Sequence, residues 1–152
     1  MLLFIVKLCL IIIFICISIS DIEENKIPNQ LVAAVFGIAL FFMGLEPQIT
    51  LGERVKGMLC VSLPMAALLF CVPGSFGGGD IKLMWAAGFA LGFKMTIIAT
   101  IVAIFLCGIY CCFLVFVKKK SLKEQFALGP FLCMGLTISL FFGEVLFQLL
   151  FQ

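Results

Sequence analysis

The chain has 152 residues, of which 64% are hydrophobic and only 12% charged, against roughly 45–50% and about 25% in soluble domains. That composition belongs in a lipid bilayer, and the length suits one compact bundle. A formal charge of +2 and the lack of a basic aromatic face exclude nucleic acid as a partner.

Polar punctuation divides the chain into six apolar stretches. The first, residues 2–20, continues past Lys7 to Ile19 with no Ala-x-Ala-like cleavage site after it, so it reads as a retained span rather than a signal peptide. Asp21 ends it. The second covers residues 27–45 and the third 55–72, where Pro64 is expected to kink the helix. The fourth, 81–93, falls short of the roughly 20 residues needed to cross a bilayer, and the fifth covers 95–117. The sixth starts at Phe126 and runs to 142 or beyond. The expected fold is all-α: a polytopic membrane helix bundle with about six transmembrane helices, forming one membrane-embedded domain over residues 1–152 with no soluble domain. Two small-xxx-small pairs, Ala33 with Gly37 and Gly88 with Gly92, are expected to let helices pack closely.

The eight cysteines (Cys9, Cys16, Cys60, Cys71, Cys107, Cys111, Cys112, Cys133) all fall in apolar runs, with no CxxC pair and no histidine anywhere. The usual zinc spacings and any Ser-His or Cys-His pair are excluded, so no metal or cofactor is expected. The thiols read as small buried hydrophobes.

Basic residues set the expected orientation. With the N-terminus outside, the cytoplasmic loops hold Lys26, Lys82, Lys118, Lys119, Lys120 and Lys123, while Arg54, Lys56 and Lys94 lie opposite, with Lys7 near that end. The lysine cluster after the fifth span decides the assignment. Asp21 ends the first span and Asp80 opens the fourth, so the two share the cytoplasmic side.

Asp21 and Asp80 are the only aspartates, and an ionisable group beside an apolar helix is a functional candidate by default. Each also has a plainer reading. Asp80 directly precedes Ile81 and is well placed as an N-cap, and Asp21 can end its span in water. As a pair they offer specific chemistry. Carboxylates about 3 Å apart cannot both ionise, so they hold one proton between them. The ionised partner takes a proton from water while the neutral one hydrogen-bonds a peptide carbonyl. Gly77, Gly78 and Gly79, just before Asp80, are expected to supply positive φ and room for an extended substrate segment. A phosphate cradle is disfavoured, since no Gly-Lys-Ser/Thr follows and no strand precedes.

The pattern Gly77-x-Gly79-Asp80-x-Lys82-Leu83 resembles the GxGD signature of intramembrane aspartyl proteases. Asp21, followed six residues later by Ile27-Pro28-Asn29, resembles the D-x5-I-P-N segment of type IV prepilin peptidases. The resemblance covers nearly the whole chain, whereas presenilin-like proteases are longer and lack the IPN segment. It implies an aspartic endopeptidase that removes a short basic leader from pilin, pseudopilin or archaellin-type precursors. The cut follows a glycine, ahead of the apolar helix, at the cytoplasmic face of the cell membrane. Asp21 and Asp80 would be the catalytic pair and Gly77, Gly78 and Gly79 the active-site loop. Ile27, Pro28, Asn29 and Lys82 would support the motif, with Pro28 and Asn29 setting the start of the second helix. The implied partners are the precursor and the lipid bilayer.

Bifunctional relatives of this kind carry an added cytoplasmic region with paired CxxC motifs and N-methyltransferase activity. No CxxC occurs here, so methylation is not expected. Lys26 stands where arginine is common, which bears on leader preference because the fork-shaped donor is lost. A reading from another class is a proton-coupled small transporter using the two aspartates as a relay. Such proteins place their carboxylates near the midplane, with repeats or broken helices, and no repeat is visible. A catalytically silent scaffold keeping the same fold is a third reading.

Overall fold

The computed structural model describes residues 1–72, 77–116 and 127–151. Within them the regular structure is helical throughout: α1 (Leu2–Glu24), α2 (Asn29–Leu45), α3 (Leu51–Cys71), α4 (Gly78–Phe116) and α5 (Gly129–Phe151). Helices α1, α3, α4 and α5 are long and apolar enough to cross a bilayer. Helix α2, with 17 residues, sits at the short limit. The protein is a polytopic helical membrane protein, an architecture in which each backbone group in lipid is satisfied within its own helix. Residues 74–76 of the glycine-rich stretch, the cluster Lys118, Lys119, Lys120 and Lys123, and the first residue expected for the last span, Phe126, lie outside the described residues.

The six expected spans map onto five helices, because the fourth and fifth are the two arms of α4. At 39 residues a straight α4 would measure about 58 Å, nearly twice the roughly 30 Å hydrocarbon core. It is broken at Gly92, whose φ of 77° and ψ of 177° fall in a region open essentially to glycine alone. Contacts with α5 show that the chain turns back there. Ser139 Oγ donates to Met95 O at 2.7 Å, Gly135 lies against Ala99 and Ala103, and the Tyr110 and Phe131 rings meet with centroids 5.3 Å apart. The second arm therefore runs antiparallel to α5 and returns toward the end where α5 begins. The first arm, residues 78–91, is about 21 Å long, which accounts for the short apolar stretch in the sequence.

The break strips the end of the first arm of helical partners for its last carbonyls, and Arg54 replaces them. Its Nη1 donates to Phe89 O at 3.2 Å and Ala90 O at 2.9 Å, and its Nη2 to Glu46 O at 3.1 Å. The side chain is 0% exposed, a cation held at the negative end of a helix. Arg54 is not the loop charge that the sequence suggested. Helix α3 starts four residues before the expected 55, capped by Thr50 Oγ1, which accepts from Glu53 N at 3.3 Å, so Arg54 lies within the helix.

Small residues set the tightest packing. Gly57 of α3 and Gly88 of α4 meet backbone to backbone, leaving no room for a Cβ at either position, as helix association in lipid requires. The first arm is consequently the bundle's centre, with Leu83, Met84, Ala86, Ala87, Phe89 and Ala90 all buried. The other expected pair is not used in this way: Gly37 has nothing within 4 Å of where a Cβ would stand. The cysteines also depart from expectation. All eight are free, but only Cys133 is buried, while Cys9, Cys16, Cys71 and Cys112 face outward. On a bundle in lipid the outer surface is as apolar as the core, so a thiol gains nothing by being inside.

Replacing Arg54 by methionine removes three hydrogen bonds to backbone carbonyls, two of them buried, each worth about 1.5–3 kcal/mol with a charged donor. Thermal unfolding in detergent is expected to show a clearly lowered midpoint for Arg54→Met. The exposed neighbour substitution Lys56→Met is expected to leave it unchanged.

Candidate active site

Asp21 owes its position to the inward stripe of α1. Val6, Leu10, Phe14, Ile17 and Asp21 are the buried residues of that helix, spaced three or four apart so that they share one face. The helix continues past the expected end at residue 20 to Glu24. There Asn25, with φ 50° and ψ 36°, stops it and donates its N–H to Asp21 O at 2.9 Å. Asp21 is therefore a helical residue, 6% exposed, and does not end its span in water. Its Oδ2 accepts the Gly129 N–H at 2.8 Å. That amide opens α5 and is one of the four at a helix start that lack a partner in their own helix. A Cβ on Gly129 would stand 2.6 Å from Oδ2, so only glycine permits this approach.

Asp80 is the third residue of α4 and is likewise 6% exposed. Its backbone N–H donates to Gly77 O at 3.1 Å, and its Oδ2 accepts the Gly77 N–H at 3.3 Å. The capping position is thus Gly77, and Asp80 reaches back to it from the first turn as the acidic member of a capping box does. The other oxygen, Oδ1, is buried and has no hydrogen-bond partner among the described residues.

Gly77 and Gly79 act through space and not through φ, a Cβ at Gly77 coming within 3.0 Å of Asp80 Oδ2. Among the described residues positive φ is confined to Asn25 and Gly92, contrary to the expectation from sequence. The position that needs glycine is 79, where a Cβ would come within 2.8 Å of the Ile27 side chain. At Gly78 a Cβ would meet nothing within 4 Å. Buried Ile27 thus packs its segment onto the start of α4, with Pro28 at the cap of α2 in an extended conformation and Asn29 as its first residue. Lys82 Nζ donates to Asn29 Oδ1 at 3.0 Å. The two separated motifs, D-x5-I-P-N and G-x-G-D-x-K, touch along their length.

The fold brings Asp21 and Asp80 to the same end of the bundle, close enough for the charge of one to act on the other. Each carboxyl has one oxygen on an amide at a helix start, α5 for Asp21 and α4 for Asp80. Cys133, one turn into α5 and 2% exposed, lies within reach of both charges. Two carboxyl groups at one end of the bundle that feel each other's charge can divide the acid and base roles, one activating a water and the other polarising a carbonyl. Gly129 and Cys133 escaped the reading of the sequence. The Gly-Pro pair at the head of the last span was the available sign of a helix start, but nothing in it indicates a carboxylate partner 108 residues away.

Residues 8–112 match the type IV leader peptidase family. Over 132 residues the chain is 23% identical to the prepilin leader peptidase/N-methyltransferase of Bacillus subtilis (strain 168), covering 87% of this chain and 53% of that protein. Over 137 residues it is 24% identical to the protein of the same name from Aeromonas salmonicida (strain A449), covering 87% of this chain and 47% of that one. The chain thus spans about half the length of the curated relatives it matches. No solved structure matches it.

Three alanine substitutions separate the contributions of these glycines. Gly79→Ala and Gly129→Ala each force a methyl group into Ile27 or the Asp21 carboxylate, at a cost of about 1–3 kcal/mol. Gly78→Ala is expected to be neutral or slightly stabilising, since alanine favours the helix. Thermal unfolding of the three variants in detergent checks the order.

Proposed function

This chain belongs to the type IV leader peptidase family, and on that premise we propose that it is an aspartic endopeptidase removing the short basic leader from prepilin-like precursors. Asp21 and Asp80 are the catalytic pair. The observation that carries the reading is that the only two aspartates of the chain, 59 positions apart, are both buried at one end of the bundle. One of them, Asp80, keeps a carboxyl oxygen with no hydrogen-bond partner among the described residues. Burying such a group is costly, and a peptide carbonyl or an attacking water is what that oxygen is placed to meet.

The proposed mechanism uses no covalent intermediate. One carboxylate of the pair takes a proton from water as it attacks the scissile carbonyl, while its protonated partner donates to the carbonyl oxygen; on collapse of the gem-diol the first carboxyl gives its proton to the leaving amine and the second takes one back from a gem-diol hydroxyl. The amides of Gly129 and Gly77 hold the two carboxyls in place. We place the scissile bond after a glycine, between the basic leader and the apolar helix of the precursor. The pair faces the cytoplasm, on the positive-inside assignment of the lysine-rich loops. The chain acts as a single membrane-embedded peptidase unit that crosses the bilayer six times, the arms of α4 counting separately. A proton relay is less well supported. The break in α4 is at Gly92, the opposite end of the first arm from Asp80, whereas relay carboxylates sit at such breaks.

The test is cleavage of a co-reconstituted precursor with a basic leader, glycine at −1 and an apolar helix, the new N-terminus being read by mass spectrometry. Asp21→Asn and Asp80→Asn keep side-chain shape and lose the shared proton, so each is expected to slow cleavage by roughly 10²–10⁴-fold. Full activity in either variant would make that aspartate a structural cap.

A further inference from the structure

Between Asp80 and Gly92 the first arm of α4 is closed in on nearly every side. Only Lys82 and Trp85 in that stretch are exposed, and both open onto a groove of about 480 Å³ between α2 and α4. Its walls are Val32, Ala33 and Phe36 from α2 and Ile81 and Trp85 from α4, with Asn29 and Lys82 at one end. The Phe36 and Trp85 rings stack with centroids 5.0 Å apart and form a firm floor. The polar end is the Lys82–Asn29 hydrogen bond, and Ile81 directly follows Asp80, so the groove starts beside the aspartates and leads away along the bundle.

We propose that this groove seats the first turns of the precursor's apolar helix, delivering the bond that precedes that helix to Asp21 and Asp80. The inference rests on the peptidase reading and adds to it the surface that recognises the substrate. Three features select this occupant. Between Asp80 and Gly92 the exposed residues of the first arm are Lys82 and Trp85, so among the described residues a substrate already in the bilayer gains sideways access to the pair along that arm at this point. Helix association in lipid depends on small residues that let backbones approach, and the outward face of α2 offers Ala33 in the groove and Gly37 one turn on, where a Cβ would meet nothing within 4 Å. From Asn29 to Phe36 the groove covers about two helical turns, roughly 10 Å. Charge sets the direction: Glu23 and Glu24, exposed in the last turn of α1 just beyond Asp21, favour the basic leader on that side and leave the apolar helix for the groove.

Position 33 tests the idea against position 34, an exposed alanine on the adjoining surface of α2. A photoreactive benzophenone side chain is introduced at each in reconstituted protein, with the precursor described above as probe. The expected result is a crosslink from position 33, mapped to the first two turns of the apolar helix, and little or none from position 34. In parallel, Ala33→Phe fills the groove and is expected to raise KM roughly tenfold with little change in kcat, while Ala34→Phe leaves both as in the wild type. Equal crosslinking from the two positions would overturn the groove and leave the peptidase reading intact. So would a crosslink at 33 only to lipid whether or not precursor is present, or wild-type kinetics in Ala33→Phe. If the wild type cleaves no precursor, the peptidase reading fails, and the crosslink at 33 alone decides whether this surface binds an apolar helix.

Discussion

The hydrogen bond from the Gly129 amide to Asp21 Oδ2, 2.8 Å long, ties the C-terminal turn of the first helix to the opening turn of the last, and the rest of the site is arranged around it. A carboxylate buried at the end of a membrane helix needs donors, and in this bundle the available ones are the unpaired amides at helix starts. Asp80 uses the same source within its own helix, through Gly77. Two helix N-termini therefore converge on two carboxyl groups, and the dipoles and amides of both act on negative charge there. The two carboxyl groups are thus held almost wholly by backbone amides, in a chain with no histidine.

This convergence depends on the reversal at Gly92. Without it the helix that starts at Gly78 would run on for 39 residues, and α5 could not begin beside Asp21. The turn leaves a helix end in the interior, and Arg54 satisfies it from α3 through Phe89 O and Ala90 O. The buried cation and the buried carboxylates thus sit at opposite ends of one short central arm. Arg54 holds the end where the chain turns, and Asp80 occupies the end where the chemistry is proposed. Close contact between Gly57 and Gly88 locks α3 to the same arm. These contacts leave no room for a side chain between the helices, and among the described residues the first arm is exposed at Trp85 and Lys82.

Much of this was legible in the sequence, because membrane helices announce themselves by length and apolarity and because parity alone puts Asp21 and Asp80 at one end. The pairing of the two motifs was legible as a pattern, and the structure expresses it as contacts between Gly79 and Ile27 and between Lys82 and Asn29. What could not be read were the long-range partners of the buried polar groups. Arg54 looks like any loop cation until the carbonyls freed at Gly92 are placed beside it. Gly129 looks like a helix boundary until Asp21 is placed against it. The glycines before Asp80 were read as a source of unusual φ because a glycine run permits it. The effect of Gly77 and Gly79 is to clear space, which depends on what lies opposite and is invisible along the chain. The outward cysteines mislead for a related reason, since apolar residues in lipid need not be inside.

The claim that holds the account together is that Asp21 and Asp80 work as a pair sharing one proton, and the pH dependence of precursor cleavage tests it most directly. In acid both carboxyls are protonated and no base is left to activate water. In alkali both are ionised and no proton remains for the carbonyl. The rate is therefore expected to rise and then fall with pH, with two apparent ionisations that belong to the pair. A rate that rises with pH to a plateau and stays there would mean that a single carboxylate suffices, and would contradict it.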